Sequence, residues 1–311
     1  MKQLKTPGIR FIVTSICNYD CDYCHNEWEP KSKPVSGLEE SLVRELIVSA
    51  KSLGAREVDI TGGEPLLRMD RVETILRTAR EEELWTNVTT NGYFLEEYAD
   101  RLRELGLKEI HVHIPSLNPQ QYRAMMKGNA DLGKVLPAVE KIADEKYFSL
   151  IKANIPIEYG VNDDEIPVLV QYFNKLGIIP RFIETMSTKG YGAVPQRSFD
   201  ELMKERLGDL KLKGSYLWGI NEYESEGRSL ETLRCICFDR KCDICPETNF
   251  IHVDQNYKVR PCNLRPFRVQ AVSGNATEAL TAGLEFLSKQ TDVPTEYRQL
   301  WGQAYVPLGI K

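Results

Sequence analysis

The chain has 311 residues, of which 42% are hydrophobic and 27% are charged, a balance typical of an ordinary globular protein. Its net charge of -5 argues against nucleic acid as the main partner. No apolar run approaches the ~20 residues that span a bilayer, and the first residues lack the hydrophobic core of a signal peptide. We therefore expect a cytoplasmic protein without a membrane or nucleic-acid partner; its oligomeric state stays open.

Strands and helices alternate along the first part of the chain. Apolar, β-branched runs predict strands at 9–14, 57–61, 86–90, 109–114, 150–157 and 180–184. Helical spacing predicts helices at about 38–54, 71–83, 96–105, 119–126 and 132–143, with one more opening at 160–163. This α/β alternation implies a parallel sheet with right-handed crossovers, either a six-stranded partial barrel or an open doubly wound sheet.

The alternation ends after Gly190, which suggests three parts. Residues 1–190 form the predicted barrel domain. Residues 191–234 form a connecting segment with a short helix from Ser198, and Gly214 to Arg228 is predicted as loop and turn. Residues 235–311 form a small cysteine-rich domain with a partly helical tail.

The eight cysteines are clustered, with three between residues 17 and 24 and five between residues 235 and 262. Short spacings between thiols are typical of metal sites in a reducing compartment, so we expect two metal centres. Cys17, Cys21 and Cys24 follow the first strand as C-x3-C-x2-C. Three thiolates on a four-iron cluster leave one iron open, whereas a structural zinc site needs a fourth ligand such as His25.

Further motifs also follow strands, and parallel α/β folds bind ligands at that carboxyl edge. They are Gly62-Gly63-Glu64-Pro65, Thr89-Thr90-Asn91-Gly92 and Gly160-Val161-Asn162-Asp163. Paired glycines let a backbone approach a ligand closely, and Glu64 could accept a hydrogen bond from an ammonium group. With the cysteine run, these residues resemble the radical S-adenosylmethionine (SAM) enzymes.

The resemblance implies a partial (β/α)6 barrel with a small C-terminal iron–sulfur domain. It implies a [4Fe–4S] cluster on Cys17, Cys21 and Cys24, whose open iron chelates SAM. The residues that the resemblance assigns to binding SAM are Tyr23, Gly62, Gly63, Glu64, Thr90, His113 and Met186. An electron donor such as a flavodoxin or a ferredoxin is then expected as a partner.

Several stretches resemble the GTP 3′,8-cyclase family of molybdenum-cofactor biosynthesis. They are Gly62 to Arg68, Thr89 to Gly92, Gly160 to Pro167 and Arg181 to Glu184. The family's nucleotide-binding cations match Arg10, Arg68, Lys152 and Arg181, which predicts a wall that binds a phosphorylated, nucleotide-type small molecule.

The second cysteine group resembles the auxiliary-cluster domain of the same family. Cys242, Cys245 and Cys262 take the family's ligand positions, and Cys235 or Cys237 could supply a fourth ligand. The resemblance therefore predicts a second [4Fe–4S] cluster, with Cys237 among its candidate ligands. A structural zinc site built from Cys237, Cys242, Cys245 and Cys262 is the alternative.

The chain also differs from the cyclase family. Pro246 to Phe250 replaces an arginine-rich segment, His113 replaces a serine, and the chain ends without a Gly-Gly tail. The main hypothesis is therefore a radical SAM enzyme that takes hydrogen from a nucleotide-derived molecule and rearranges it or forms a C–C bond. The alternatives are a true GTP 3′,8-cyclase, a peptide-modifying radical SAM enzyme and, from another class, a non-catalytic zinc protein.

Overall fold

The strands of the protein form one large sheet in the computed structural model, which describes residues 6–24, 31–32, 37–185, 199–216, 219–233, 250–262 and 267–290. The strands of the first half are β1 (Gly8–Ile12), β2 (Glu57–Thr61), β3 (Trp85–Thr90), β4 (Glu109–His113), β5 (Leu150–Ile157) and β6 (Ile179–Glu184). The later strands are β7 (Lys211–Tyr216), β8 (Ile220–Ser225), β9 (Arg228–Leu233), β10 (Ile251–Val253), β11 (Lys258–Arg260) and β12 (Val269–Gln270).

Helices connect the strands of the first half. They are α1 (Glu40–Ser52), α2 (Met69–Glu81), α3 (Leu95–Glu104), α4 (Pro119–Met126), α5 (Leu132–Asp144) and α6 (Ile166–Lys175). Two more follow in the second half, α7 (Phe199–Leu207) and α8 (Ala276–Ser288). The predicted strands and helices of the first half are thus confirmed, with ends that differ by a few residues.

The order of the strands decides between the two predicted architectures. In the described part of the chain the order is β12-β11-β10-β1-β2-β3-β4-β5-β6-β9-β8-β7, so β1 to β6 lie side by side in chain order. All five contacts between them are parallel. Right-handed crossovers between strands in chain order place every helix on one face, as in a barrel. A doubly wound sheet would instead reverse its order near the middle.

One face of the sheet packs on the helices, because successive side chains of a strand point to opposite faces. Val58 and Ile60 of β2 are fully buried in the same apolar core as Leu46 of α1 and Leu76 of α2. We call the opposite face of β1–β6 the inner face. It carries the intervening residues, among them Asp59, which are mostly polar.

The prediction of loop and turn from Gly214 to Arg228 is wrong. β7, β8 and β9 form an antiparallel meander there, and β9 adds to the sheet parallel to β6. In this stretch apolar and polar residues do not alternate clearly, so the sequence pattern did not indicate strands. On the other side, β10 pairs in parallel with β1. The sheet therefore continues past residue 190, while the three-part domain division remains a prediction.

Candidate functional site

The cysteine loop follows β1 at the carboxyl edge of the sheet. Cys17 and Cys21 are half-buried and Cys24 is exposed. Burial raises the pKa of the Cys17 thiol to about 11, and the negative charges of Glu64 and Cys24 add to the rise. Burial, with the neighbouring Cys24 and Cys17, raises the pKa of Cys21 as well. Three thiolates in this loop repel one another, so a cationic centre is needed to hold them ionised.

The donor set suits an iron–sulfur centre, because soft thiolates are the ligands that such clusters take. Within the ranges that the structure describes, no group of three or more His, Cys, Asp and Glu side chains is arranged to hold a metal ion. The alternative zinc ligand His25 lies outside the described residues. Ligation by Cys17, Cys21 and Cys24 therefore stays a prediction, carried by their spacing and their common loop.

The paired glycines allow the cysteine loop to pack against the loop that follows β2. Gly63 N donates to Thr14 O at 2.6 Å, and Glu64 N donates to Ile16 O at 2.9 Å. A Cβ atom on Gly63 would lie 2.2 Å from Ile16 O and 3.0 Å from Cys17 N. The backbone that Gly62 and Gly63 approach in this structure is therefore that of the cysteine loop itself, which these glycines hold in place.

The end of α4 supports the cysteine loop from its other side. Asp20 N donates to Met126 O, and Asn129 N donates to Asn18 O, at 3.2 and 3.1 Å. Gly128 has a φ of +57°, and a Cβ there would lie 2.7 Å from Asn18 O. The Tyr23 hydroxyl donates to Met126 Sδ at 2.7 Å. The side chain of Tyr23 thus helps to anchor the loop.

Glu64 links the loops that follow β2 and β3. It is fully buried, and its Oε1 accepts from Leu66 N and from the Thr90 hydroxyl at 3.0 and 2.8 Å. Its Oε2 accepts from Asn91 N at 2.8 Å. Burial raises the pKa of Glu64 to about 7, against these hydrogen bonds, which lower it. A carboxylate has about four acceptor sites, so one remains for an ammonium group.

Asn91 is a site residue that the sequence-based list of binding residues missed. Its side-chain amide donates to Asn18 Oδ1 at 2.8 Å and lies 3.8 Å from Cys17 Sγ. An amide that donates to a cluster-binding sulfur tunes the metal centre, as outer-shell partners do. The sequence did contain a signal for Asn91, since it follows Thr90 directly after β3. Residues that follow neighbouring parallel strands meet at one edge of the sheet, where the cysteine loop also lies.

The inner face carries a buried group of charged residues, which we call the charged network. Its members are Glu109 and His111 of β4, Lys152 of β5, Arg181 of β6 and Glu231 of β9, each less than a tenth exposed. Lys152 Nζ lies 3.2 Å from Glu109 Oε1 and 3.0 Å from Glu231 Oε1. Arg181 Nε donates to Glu231 Oε2 at 2.6 Å. The structure therefore brings two predicted substrate cations together across one carboxylate.

Glu109 closes the other end of the network. It accepts from Trp85 Nε1 at 2.9 Å and lies 2.6 Å from His111 Nε2. Burial lowers the pKa of His111, although Glu109 opposes the change. The pKa of Glu109 is lowered because the hydrogen bond from His111 and the charge of Lys152 outweigh burial. Two cations, Lys152 and Arg181, thus face two carboxylates, Glu109 and Glu231, in the charged network.

The two remaining predicted cations lie apart from this network. Arg10 is a half-buried residue of β1 and forms an ion pair with Asp59 of β2. Arg68 ends the short 3₁₀ helix Pro65–Arg68, and its guanidinium donates to both Asp70 oxygens at 2.9 and 2.7 Å. All four predicted substrate cations thus have a carboxylate partner.

His113 and Cys262 occupy opposite edges of the sheet. His113 ends β4 at the carboxyl edge, where its Nε2 lies 3.4 Å from Asn154 Nδ2. Cys262 follows β11, which runs antiparallel to β10 with Arg260 opposite His252, so it leaves the sheet at the amino edge. The inner face lies between this cysteine and the cysteine loop. Met186, Cys235, Cys237, Cys242 and Cys245 lie outside the described residues.

The comparisons with known proteins decide the family. Residues 11–173 match the sequence profile of the Radical SAM superfamily. The chain is 39% identical over 289 residues to a protein of Archaeoglobus fulgidus named probable GTP 3′,8-cyclase, covering 91% of this chain and 94% of that one. The chain belongs to the radical SAM superfamily. A GTP 3′,8-cyclase of Aquifex aeolicus is 37% identical over 184 residues, 57% of this chain and 56% of that one.

The fold of this chain is similar to that of solved structures of other proteins. The crystal structure of Streptococcus suis SuiB bound to S-adenosylmethionine matches with a TM-score of 0.64 and 15% identity, covering 92% of this chain and 68% of that one. The protein is therefore a radical SAM enzyme with a partial barrel, and it uses a [4Fe–4S] cluster and SAM. Within the described ranges, none of the helices is both long enough and apolar enough to cross a membrane.

Proposed function

We propose that this radical SAM enzyme takes a hydrogen atom from a nucleotide-type substrate and then rearranges it or forms a C–C bond. The observation that carries the proposal is the meeting of three motifs at one edge of the sheet. The cysteine loop, the Gly62-Gly63-Glu64 loop and the Thr90-Asn91 turn are joined by direct hydrogen bonds there. Cys17, Cys21 and Cys24 would hold the cluster.

The cluster, once held by Cys17, Cys21 and Cys24, would supply an electron, and SAM bound beside Glu64 would supply the group that takes hydrogen from the substrate. The residues of the chain position the two molecules and exclude water. The remaining acceptor site of Glu64 would take the SAM ammonium group. Tyr23, Gly62, Gly63, Thr90, His113 and Met186 are proposed to complete the SAM site, and a flavodoxin or a ferredoxin to deliver the electron.

GTP is the first substrate to test, and another nucleotide or a nucleotide-derived metabolite is the second candidate. The name of the A. fulgidus protein, which aligns along almost the whole chain, favours GTP 3′,8-cyclase activity. The replaced arginine-rich segment at Pro246 to Phe250 favours a different nucleotide. Arg10, Arg68, Lys152 and Arg181 are proposed to line the substrate site, and Arg68 with its half-exposed partner Asp70 is the cation that a phosphate would meet first.

We further propose that Cys262, Cys242 and Cys245 hold a second [4Fe–4S] cluster, with Cys237 as a possible fourth ligand. The position of Cys262 at the amino edge supports this, because a cluster there would face the far end of the inner face. Iron and acid-labile sulfide analysis of anaerobically purified protein tests it. About eight irons per chain are expected, and about four are expected after Cys262→Ala; zinc without sulfide would contradict both clusters.

The test of the reaction uses anaerobically reconstituted protein with SAM and dithionite. We expect 5′-deoxyadenosine to form faster with a substrate nucleotide than without one, and a Cys21→Ala variant to form none. A burst with GTP alone would identify a GTP 3′,8-cyclase, and a burst only with another nucleotide would identify the second candidate. No 5′-deoxyadenosine under any condition, from protein that contains its clusters, would contradict the proposal.

A further inference from the structure

Three buried acceptor oxygens on the inner face have no hydrogen-bond partner among the described residues. They are Asp59 Oδ1, Asn87 Oδ1 and Asn154 Oδ1. The three side chains are only 1%, 6% and 6% exposed. Buried polar atoms nearly always find a partner, so three such oxygens on one face are unusual. We call them the interior acceptors.

The interior acceptors share the inner face with the charged network. Asp59 and Asn87 lie opposite each other on β2 and β3, and Asn87 lies opposite Glu109 on β4. Asn154 lies two residues after Lys152 on β5, so both side chains point to the same face. It also lies opposite Arg181 on β6. A ligand between the two edges of the sheet would therefore meet acceptors and charged groups together.

The interior acceptors require a ligand that carries hydrogen-bond donors. A carboxylate or amide oxygen requires a hydrogen-bond donor, such as a hydroxyl, an amino group or a ring N–H. A phosphate at neutral pH offers acceptors almost alone, so its oxygens would face Asp59, Asn87 and Asn154 with mutual repulsion. The sugar and the base of a nucleotide offer the donors that these oxygens lack.

The ion pairs on the inner face also argue against a phosphate at Lys152 and Arg181. Lys152 and Arg181 both contact Glu231, and Lys152 also contacts Glu109. A phosphate on these cations would have to displace Glu231 and leave its carboxylate buried beside another anion, which is strongly unfavourable. Arg68 pairs with a half-exposed Asp70 instead, which water can solvate when a phosphate displaces it.

We propose that the interior acceptors and the charged network bind the sugar or base of the substrate through its hydroxyl and amino hydrogens, and that the phosphates bind outside them. Glu231 is then a specificity-determining residue, because it neutralises Lys152 and Arg181. This inference rests on the proposed function, since it concerns a nucleotide substrate. It assigns to Lys152 and Arg181 a role different from the phosphate contact that the sequence predicts.

The test measures equilibrium binding to the anaerobic, cluster-loaded enzyme in the presence of SAM. The probes are guanosine, adenosine, cytidine, uridine and inorganic triphosphate. We expect at least one nucleoside to bind, and inorganic triphosphate not to compete with it. Asn87→Leu and Asn154→Leu should each weaken that nucleoside about tenfold, the effect of losing one hydrogen bond in a buried site.

The same variants separate binding from folding. Asn87→Leu removes an unpaired buried oxygen at similar volume, so its melting temperature should stay the same or rise. The matched contrast is Asn162→Leu, because the Asn162 amide donates to Pro115 O and Pro156 O at 2.8 and 2.9 Å. That variant should melt at a lower temperature. Glu231→Gln should strengthen the binding of inorganic triphosphate about tenfold or more, because it frees a positive charge.

Two results would overturn the inference. One is binding of triphosphate, but of no nucleoside, to the unaltered enzyme. The other is nucleoside binding that Asn87→Leu and Asn154→Leu leave unchanged. Because these measurements need no turnover, they stand apart from the formation of 5′-deoxyadenosine, which tests the proposed function.

Discussion

The cysteine loop and the inner face are both rich in buried polar groups, but they differ in how those groups are satisfied. Around the loop, Glu64, Thr90 and Asn91 use one another and the backbone as partners, although Asn18 Nδ2 has no partner among the described residues. On the inner face, charges are paired across strands, while Asp59 and Asn87 keep oxygens without a partner in the described part of the chain. The hydrogen bonds of Glu64, Thr90 and Asn91 thus fix the shape of the loop, and the unpartnered oxygens support the proposal that the inner face binds a molecule.

The largest effect is expected from Lys152→Met, which tests whether the charged network holds the inner face together. Without Lys152 the two buried carboxylates Glu109 and Glu231 share only Arg181 as a cation, which leaves an excess buried negative charge, so unfolding should become easier by about 3–5 kcal/mol. Arg68→Met is the matched control, because its pair with Asp70 is partly exposed and should change stability by about 0–1 kcal/mol. Urea denaturation measures both, and equal losses would show that the network contributes no more than a surface pair.

A smaller effect is expected from Gly63→Ala, which tests the fixed shape of the cysteine loop. The new Cβ would lie 2.2 Å from Ile16 O, so the loop must shift, at a cost of about 1–3 kcal/mol. Displaced cysteines should then lower the iron content of the reconstituted protein. Gly37→Ala is the control, because a Cβ there meets nothing within 4 Å. A Gly63→Ala enzyme with full iron content would contradict the role of this glycine.

The smallest effect is a pH dependence from Glu57, which begins β2 at the amino edge. Burial and the charges of Asp59 and Glu109 raise its pKa from 4.5 to about 7. The folded state therefore holds a proton that the unfolded state loses between about pH 4.5 and 7, so stability falls as pH rises through that window. Glu57→Gln should remove this fall and stabilise the protein at pH 8 by about 1 kcal/mol, since Glu57 is partly exposed to water.

Thermal melting of both forms at pH 4 and pH 8 measures this effect. Below the window the two proteins should melt at similar temperatures, because the carboxyl is protonated in both states. A fall in stability with pH that is the same in the variant would assign the titration to a different group.

Local patterns in the sequence were enough to predict the barrel strands and the edge at which the motifs meet. Strand and helix periodicity depends on neighbours in the chain, and a residue that follows a parallel strand must lie at its carboxyl edge. The same rule placed Cys17, Gly63 and Thr90 near one another, as the structure has them. It failed for β7 to β9, where polar residues on both faces weaken the alternation.

The partners of the predicted cations could not be read from local patterns. Glu231 lies 50 residues after Arg181 in the chain and reaches it only because β9 pairs with β6. Nothing in the sequence around Lys152 indicates that two carboxylates neutralise it. The roles of the glycines also changed, since the chain that approaches Gly63 is the cysteine loop.

The sequence by itself determined the superfamily, the cysteine loop and the order of its strands and helices, because each depends on residues that are close together in the chain. The tertiary structure decided that the sheet runs in chain order from β1 to β6, and which charges meet on its inner face. It also left Asp59, Asn87 and Asn154 with unpaired oxygens in the described part of the protein. These features depend on register between strands that are far apart in sequence, and register is fixed only when the whole sheet packs.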